Sequence, residues 1–185
     1  MKTESSFGKS ALATPANAVT ITRLLISPLL LVMIASGGAS WPAVAFWMLL
    51  CVTDGVDGYI ARRQGVTSSG AFLDPLADKV LVLGALAALV SRGDLWWLPA
   101  GLIGVREIGV SIFRSRLAQR GISVPARWWA KVKTVVTEVA IGFALLPLTT
   151  DTRGLYTSLI WIAVVLTLVT GAQYFLEGGR EARAS

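Results

Sequence analysis

Residues 43–62 read AVAFWMLLCVTDGVDGYIAR, an apolar run that ends in two aspartates, Asp54 and Asp57, and an arginine, Arg62. A helix needs about 20 mostly apolar residues to cross the hydrocarbon core of a bilayer. This stretch has about that length, and its charged residues stand at the carboxyl end. It therefore predicts a membrane-spanning helix that presents acidic side chains at one membrane surface.

The whole chain shares this apolar character. Of its 185 residues, 54% are hydrophobic and 15% are charged, whereas about 25% are charged in a typical soluble domain. We predict an all-α integral membrane protein in which a membrane domain, residues 17–176, lies between cytoplasmic tails at residues 1–16 and 177–185. Its six predicted transmembrane helices lie at about residues 19–37, 42–61, 74–91, 95–114, 132–149 and 155–176.

Basic residues are unevenly distributed between the connections. The N-terminal tail, the second and fourth connections and the C-terminal tail contain most of them, whereas the other connections hold only Arg92 and Arg153, each near an aspartate. Because lysine and arginine concentrate on the cytoplasmic side, both termini and the Asp54 end of the second helix are expected there. A basic face beside anionic lipid headgroups accounts for the net charge of +6, so no nucleic-acid partner is predicted.

The chain contains no histidine, and its single cysteine, Cys51, lies within an apolar segment. These facts exclude histidine nucleophiles, histidine zinc sites, serine–histidine triads and an internal disulfide. Chemistry based on aspartate and glutamate carboxylates remains as the candidate for function.

Four acidic residues lie close together in the sequence. Asp54 and Asp57 close the second predicted helix, and Asp74 and Asp78 open the third. Residues three or four apart share a helix face, and the short connection makes the two helices antiparallel neighbours. Carboxylates crowded at membrane depth are costly without a cation, and an oxygen-only ligand set suits Mg²⁺ or Mn²⁺. The pattern predicts a site for one or two divalent ions.

Two other classes of protein use similar acidic residues. A cation-binding membrane transporter would explain four carboxylates, but not the Gly58, Ala61 and Arg62 interleaved with them. An intramembrane prenyltransferase also holds a magnesium diphosphate with paired aspartates, but it needs more spans than this chain supplies.

Positions 54–78 follow the pattern D-x₂-D-G-x₂-A-R-x₇-G-x₃-D-x₃-D. This pattern resembles the signature of the CDP-alcohol phosphotransferases, which are integral membrane enzymes of six helices. One spacing differs, because the family usually has eight residues between the arginine and the second glycine and this chain has seven. The difference falls in the loop between the two helices, so it bears on loop contacts more than on the metal ligands.

The resemblance implies roles for individual positions. Asp54, Asp57 and Asp74 match metal-binding aspartates, and Asp78 matches the last aspartate, which contributes to the metal site and acts as general base. The residues that match positions binding the cytidine diphosphate portion of the lipid substrate are Gly58, Ala61, Arg62, Thr67 and Gly70.

The first predicted helix opens with PANAVTITR, residues 15–23. This opening resembles the family's P-N-x-x-T-x-x-R, with Ala16 in place of the proline, and implies that Asn17 and Thr20 contact the CDP-lipid. The alternative is that Asn17 caps the helix and Thr20 bonds back to the backbone.

Four basic residues are candidates for binding a phosphorylated acceptor. Arg106 lies mid-span, Arg114 follows two turns later, and Lys131 and Lys133 open the fifth span. Arginine in particular binds phosphate through two parallel hydrogen bonds. Within the fifth span, Glu138 is predicted to have a hydrogen-bond or ion-pair partner, with Arg106 or a lysine as candidates.

The segments FLDPLADK, VRE and KVKT resemble the branch of the family whose acceptor is sn-glycerol 3-phosphate. The resemblance implies transfer of a phosphatidyl group from CDP-diacylglycerol to that acceptor, with release of CMP, by a homodimer in the cell membrane whose active site faces the cytoplasm. Relatives that use inositol phosphate, and cardiolipin synthases of the same fold that use phosphatidylglycerol, are the alternatives.

Overall fold

The computed structural model describes residues 15–64, 70–119 and 128–184, without the side chains of residues 15–16, 56–64, 70–72, 130 and 180–184. The described part of the chain contains no β-strand. It forms α1 (Pro15–Gly37), α2 (Trp41–Gln64), α3 (Gly70–Ser91), α4 (Trp97–Gln119), α5 (Trp128–Leu145) and α6 (Arg153–Ala184), with one turn of 3₁₀ helix at Pro147–Thr149.

Each predicted apolar segment corresponds to one of these helices, so the all-helical prediction is confirmed. Within the described residues, Asn17–Gly37 and Arg153–Gly179 are long and apolar enough to cross a membrane, and the apolar part of α2, Trp41–Gly55, is shorter. The other helices carry charged side chains within their length, for example Arg106 and Glu107 in α4. Six membrane crossings therefore stay a prediction.

The fifth segment differs from its predicted boundaries. It was expected at residues 132–149, but α5 ends at Leu145. Pro147 has no backbone N–H and disfavours helical geometry at the residue before it. Leu146 is accordingly extended, with φ −77° and ψ 124°, and the 3₁₀ turn follows.

The helices pack around one main apolar core. Helix α1 lies against α2 and α3, α6 lies against α4 and α5, and α5 also contacts α2 and α3. Leu30, Trp47, Leu86 and Ile141 are buried at its centre. Many large apolar side chains on the outside of the bundle are exposed, including Leu25 at 73%. Exposed apolar surface on this scale fits a lipid-facing exterior.

One end of the bundle is closed by polar contacts between the α3–α4 turn and α6. Gly93, at φ 76°, allows the tight turn. Asp94 accepts a hydrogen bond from Arg92 Nε at 2.9 Å, and its carbonyl accepts one from the Tyr156 hydroxyl at 3.0 Å. Arg153 Nη1 donates to the Gly93 carbonyl at 3.3 Å. The candidate site lies at the opposite end.

Candidate active site

A cavity of about 320 Å³ opens at the end of the bundle where α1, α3 and α5 begin. Acidic and basic side chains line it in equal numbers, and the lining residues together come from five helices. The lining residues are Asp54, Asp74, Pro75, Asp78, Lys79, Arg106, Glu107, Val110, Ser111, Arg114, Lys133, Thr134 and Tyr174. Three of the aspartates predicted to bind metal thus share one cavity with three of the cations predicted to bind an acceptor phosphate.

Helix α1 holds the aspartates of its two neighbours. Thr20 Oγ1 donates to Asp74 Oδ1 at 2.7 Å, and Arg23 Nη1 forms an ion pair with Asp54 Oδ1. Thr20 and Arg23 can do this together because residues three apart lie on one helix face. Both are buried, at 1% and 2% exposure. The opening of α1 therefore fixes the positions of two carboxylates that face the cavity.

Other predicted substrate residues are described in part or not at all. Asn17 is buried at 1% exposure and is not among the described residues that line the cavity. Thr67 lies outside the described residues. The same is true of the side chains of five further residues, four in α2 and one in α3, so the roles of all six residues stay predictions. These five residues are Asp57, Gly58, Ala61, Arg62 and Gly70.

The donor chemistry of the cavity fits a hard divalent cation. Asp54, Asp74 and Asp78 supply carboxylate oxygens, the ligand type that Mg²⁺ and Mn²⁺ prefer. Among the described side chains, no three acidic groups lie close enough together to form a cation site. The side chain of Asp57 lies outside the described residues. Metal binding by these carboxylates stays a prediction.

Arg106 crosses from α4 to α6. Its Nε donates to the Thr167 carbonyl at 3.0 Å, its Nη2 to Thr170 Oγ1 at 2.9 Å, and its Nη1 to Glu107 Oε1 at 2.9 Å. The side chain is 8% exposed. A buried arginine held by three acceptors has a defined orientation at the cavity wall.

The other cations are placed differently. Lys133 forms an ion pair with Glu107 Oε1, the oxygen that also accepts from Arg106. The Arg114 guanidinium carbon lies 5.8 Å from the centre of the Tyr174 ring, within range of a cation–π interaction. Lys131 is exposed on α5 and is not among the lining residues that the structure describes. The structure thus gathers Arg106, Arg114 and Lys133, but not Lys131.

Arg106 was the first candidate for a partner of Glu138. This prediction is wrong, because Arg106 pairs with Glu107 instead. Among the described residues, the Glu138 carboxylate makes no ion pair. The residue contacts α2 through its backbone carbonyl, which accepts a hydrogen bond from Trp47 Nε1 at 3.1 Å.

Sequence reasoning missed several groups at this site. Arg23 was identified within the opening motif of α1 but not assigned to the site. Thr167 and Thr170 were not considered, although two buried threonines three residues apart interrupt an apolar helix. That spacing is the only sequence signal for them, and it does not name the α4 residue they meet.

An all-helical fold with carboxylates and cations around one cavity fits a membrane-associated enzyme that acts on phosphate groups. Residues 13–169 match the family model of the CDP-alcohol phosphatidyltransferases. The chain belongs to this family of transferases, whose members are generally dependent on divalent metal ions.

The chain is similar to named bacterial proteins along nearly its whole length. A protein of Mycobacterium tuberculosis named "Probable phosphatidylglycerophosphate synthase" is 38% identical over 180 residues, which cover 94% of this chain and 86% of the relative. A CDP-diacylglycerol–glycerol-3-phosphate 3-phosphatidyltransferase of Rickettsia bellii is 38% identical over 167 residues, 86% of this chain and 92% of the relative. A protein of the same name from Shigella flexneri serotype 5b is 36% identical over 164 residues, with coverage of 84% and 90%.

Proposed function

We propose that this protein transfers the phosphatidyl group of CDP-diacylglycerol to sn-glycerol 3-phosphate, which gives phosphatidylglycerophosphate and CMP. The names of its relatives support both substrates. The observation that carries the proposal is the cavity that Asp54, Asp74 and Asp78 share with Arg106 and Lys133.

The two kinds of charged side chain suit the two substrates. Both substrates are anionic at their reacting ends, so bringing them together without counter-charges is opposed by Coulomb repulsion. Asp54, Asp57, Asp74 and Asp78 would hold one or two divalent ions, Mg²⁺ or Mn²⁺. When bound, such ions neutralise the diphosphate and the charge that develops on the leaving CMP. The basic side chains bind the acceptor's phosphate directly.

Asp78 is the proposed general base. It stands one turn after Asp74 on α3 and lines the shared cavity beside Lys79. In that position it takes the proton from the attacking hydroxyl of glycerol 3-phosphate. The new oxygen–phosphorus bond forms at the β-phosphorus of the CDP-lipid while the bond to CMP breaks, and CMP leaves with the electron pair.

The exterior supports a lipid substrate. An apolar groove of about 370 Å³ runs between α1 and α2, and its lining includes Ile26, Phe46 and Leu49. It also reaches Arg23, which pairs with Asp54 in the cavity wall. An acyl chain in this groove would place the lipid headgroup beside the aspartates.

The protein is proposed to be a multi-pass cell-membrane enzyme with its active site facing the cytoplasm, where a water-soluble acceptor is available. A homodimer stays a prediction from the family resemblance.

The test is release of CMP by the purified protein from CDP-diacylglycerol, with Mg²⁺ or Mn²⁺ present. Glycerol 3-phosphate, inositol phosphate and phosphatidylglycerol are supplied separately as acceptors. We expect turnover with glycerol 3-phosphate, and loss of turnover after metal chelation. Turnover with inositol phosphate alone would overturn the acceptor assignment, and no turnover with any acceptor would overturn the activity. Metal flux into proteoliposomes without lipid turnover would instead indicate a transporter.

A further inference from the structure

The contacts of Arg106 indicate a role for α6 that could not be predicted from the apolar sequence of this helix. Arg106 belongs to α4, yet two of its three hydrogen-bond acceptors, the Thr167 carbonyl and Thr170 Oγ1, belong to α6. A charged side chain that is 8% exposed is costly unless its donors are satisfied. Helix α6 therefore supplies polar groups at the place where Arg106 is buried.

Thr170 is oriented to receive the guanidinium. Its hydroxyl has one proton to donate, and the backbone carbonyls of Leu166 at 2.7 Å and Thr167 at 3.1 Å are its acceptors. The lone pairs of the same oxygen are then available to Arg106 Nη2 at 2.9 Å. The hydroxyl thus links the α6 backbone to the Arg106 side chain.

Gly171 provides the space for this contact. A β-carbon at this position would lie 3.1 Å from both Cγ and Nε of Arg106. Glycine within a helix costs about 1 kcal/mol relative to alanine, so its presence here has a packing reason. An alanine would require the Arg106 side chain to shift by a few tenths of an ångström.

Glu107 completes the arrangement from α4 itself. Its Oε1 accepts from Arg106 and from Lys133, so one carboxylate oxygen holds two cations at the cavity wall. The three contacts of Arg106 occupy one N–H on each nitrogen, and a guanidinium has five N–H donors. One N–H on each terminal nitrogen is left for an anion.

We propose that the Thr167 carbonyl, the Thr170 hydroxyl and Gly171, here called the α6 cradle, position Arg106 to bind the phosphate of the acceptor. The α6 cradle makes no contact with the acceptor itself. It acts by holding the guanidinium in place before the acceptor arrives, which lowers the entropic cost of binding. This inference rests on the proposed function, because it assigns the acceptor phosphate to the Arg106 side of the cavity.

Three variants test the α6 cradle. Thr170→Val removes the hydroxyl at nearly constant volume, Thr170→Ser keeps a hydroxyl, and Gly171→Ala displaces Arg106. Two controls lie on the same helix. Thr157→Val makes the same change near the opposite end, and Gly179→Ala adds a β-carbon where nothing lies within 4 Å.

Initial rates of CMP release are measured with each substrate varied in turn, and the melting temperature of each variant is recorded. We expect Thr170→Val and Gly171→Ala to raise KM for glycerol 3-phosphate about tenfold, the effect of losing about 1.4 kcal/mol of binding. KM for CDP-diacylglycerol should change less than twofold. Thr170→Ser and both controls should resemble the wild type.

A fall in kcat or melting temperature with both KM values unchanged would show a merely structural role and overturn the inference. An equal defect in Thr170→Ser and Thr170→Val would also overturn it, since the hydroxyl would not matter.

Direct binding separates this inference from the proposed function. Glycerol 3-phosphate is titrated calorimetrically into wild-type protein and Thr170→Val in nanodiscs without CDP-lipid. If the wild type binds it but does not turn over, the proposed function fails, and weaker binding by Thr170→Val still supports the α6 cradle. Equal binding by the two proteins, or no binding by either, overturns the α6 cradle.

Discussion

Arg23 is charged, and it is buried at 2% exposure in a helix whose other contacts are mostly apolar. Its ion pair with Asp54 spans α1 and α2, and the Asp54 side chain is 39% exposed. Burying an arginine is costly unless a carboxylate compensates its charge, so the loss of a paired carboxylate is destabilising. Arg23 and Asp54 therefore form a charge-compensating pair between α1 and α2.

A double-mutant cycle measures this pairing. We expect Asp54→Asn to destabilise the protein by about 1–3 kcal/mol, because the buried Arg23 loses one ion-pair partner. The double variant Arg23→Met with Asp54→Asn should be more stable than Asp54→Asn alone, since both charges are gone. Thermal unfolding in detergent micelles reports the four stabilities. Strictly additive losses would mean that the two side chains do not interact.

Asp78 carries the proposed proton transfer, and its substitution separates binding from chemistry. Asp78→Asn keeps the size of the side chain but cannot accept the proton of the attacking hydroxyl. We expect kcat to fall at least about 100-fold, with CDP-diacylglycerol binding largely retained. Rates of CMP release and equilibrium binding of the lipid measure the two effects. Asp151→Asn, an exposed aspartate at the opposite end, is the control. Near-normal turnover of Asp78→Asn would refute the role of base.

At the scale of elements, α1 and α3 approach closely because of a small residue. A β-carbon on Gly84 would lie 2.5 Å from Cδ1 of Leu31. The Leu31 side chain therefore fits against α3 only because Gly84 has no side chain. Ala85 and Ala88 on the same helix are buried. These small residues serve contacts within one chain.

Two valine substitutions test this packing. Gly84→Val should destabilise the protein by about 1–3 kcal/mol more than Gly109→Val, where nothing lies within 4 Å of the added β-carbon. Both changes put valine into a helix interior, so the difference between them reports packing alone. Melting temperatures in detergent provide the comparison. Equal destabilisation would show that Leu31 moves aside freely.

The helices were predictable from the sequence because each is an apolar run. The grouping of the aspartates was predictable because their spacing puts them on helix faces. The α6 cradle was not predictable, since Arg106 and Thr170 are separated by 64 positions and meet only through the packing of α4 on α6. Periodicity gives the faces of a helix but not the partner of each face. Apolar content predicts that the fifth helix continues to residue 149, but Pro147 cannot continue it and α5 ends at Leu145.

At the scale of the whole molecule, the two ends of the bundle have different chemistry. One end is closed by the contacts among Arg92, Asp94 and Arg153, and the other contains the open cavity with its many charged side chains. Exposed tryptophans flank both ends, with Trp96 and Trp97 near the closed end and Trp128 and Trp129 near the cavity. Tryptophan prefers the headgroup region, so this placement agrees with a membrane between the two ends.

The orientation of the two ends is testable by cysteine labelling. Cys51 is first replaced by serine, and then Thr150→Cys at the closed end and Ser115→Cys near the cavity are made singly, both at exposed positions. Because basic residues concentrate at the cavity end, that end should face the cytoplasm. A membrane-impermeant maleimide should label Thr150→Cys in intact cells, and Ser115→Cys only after the membrane is opened. The reverse pattern would contradict the orientation, and labelling of both in intact cells would contradict a membrane between them.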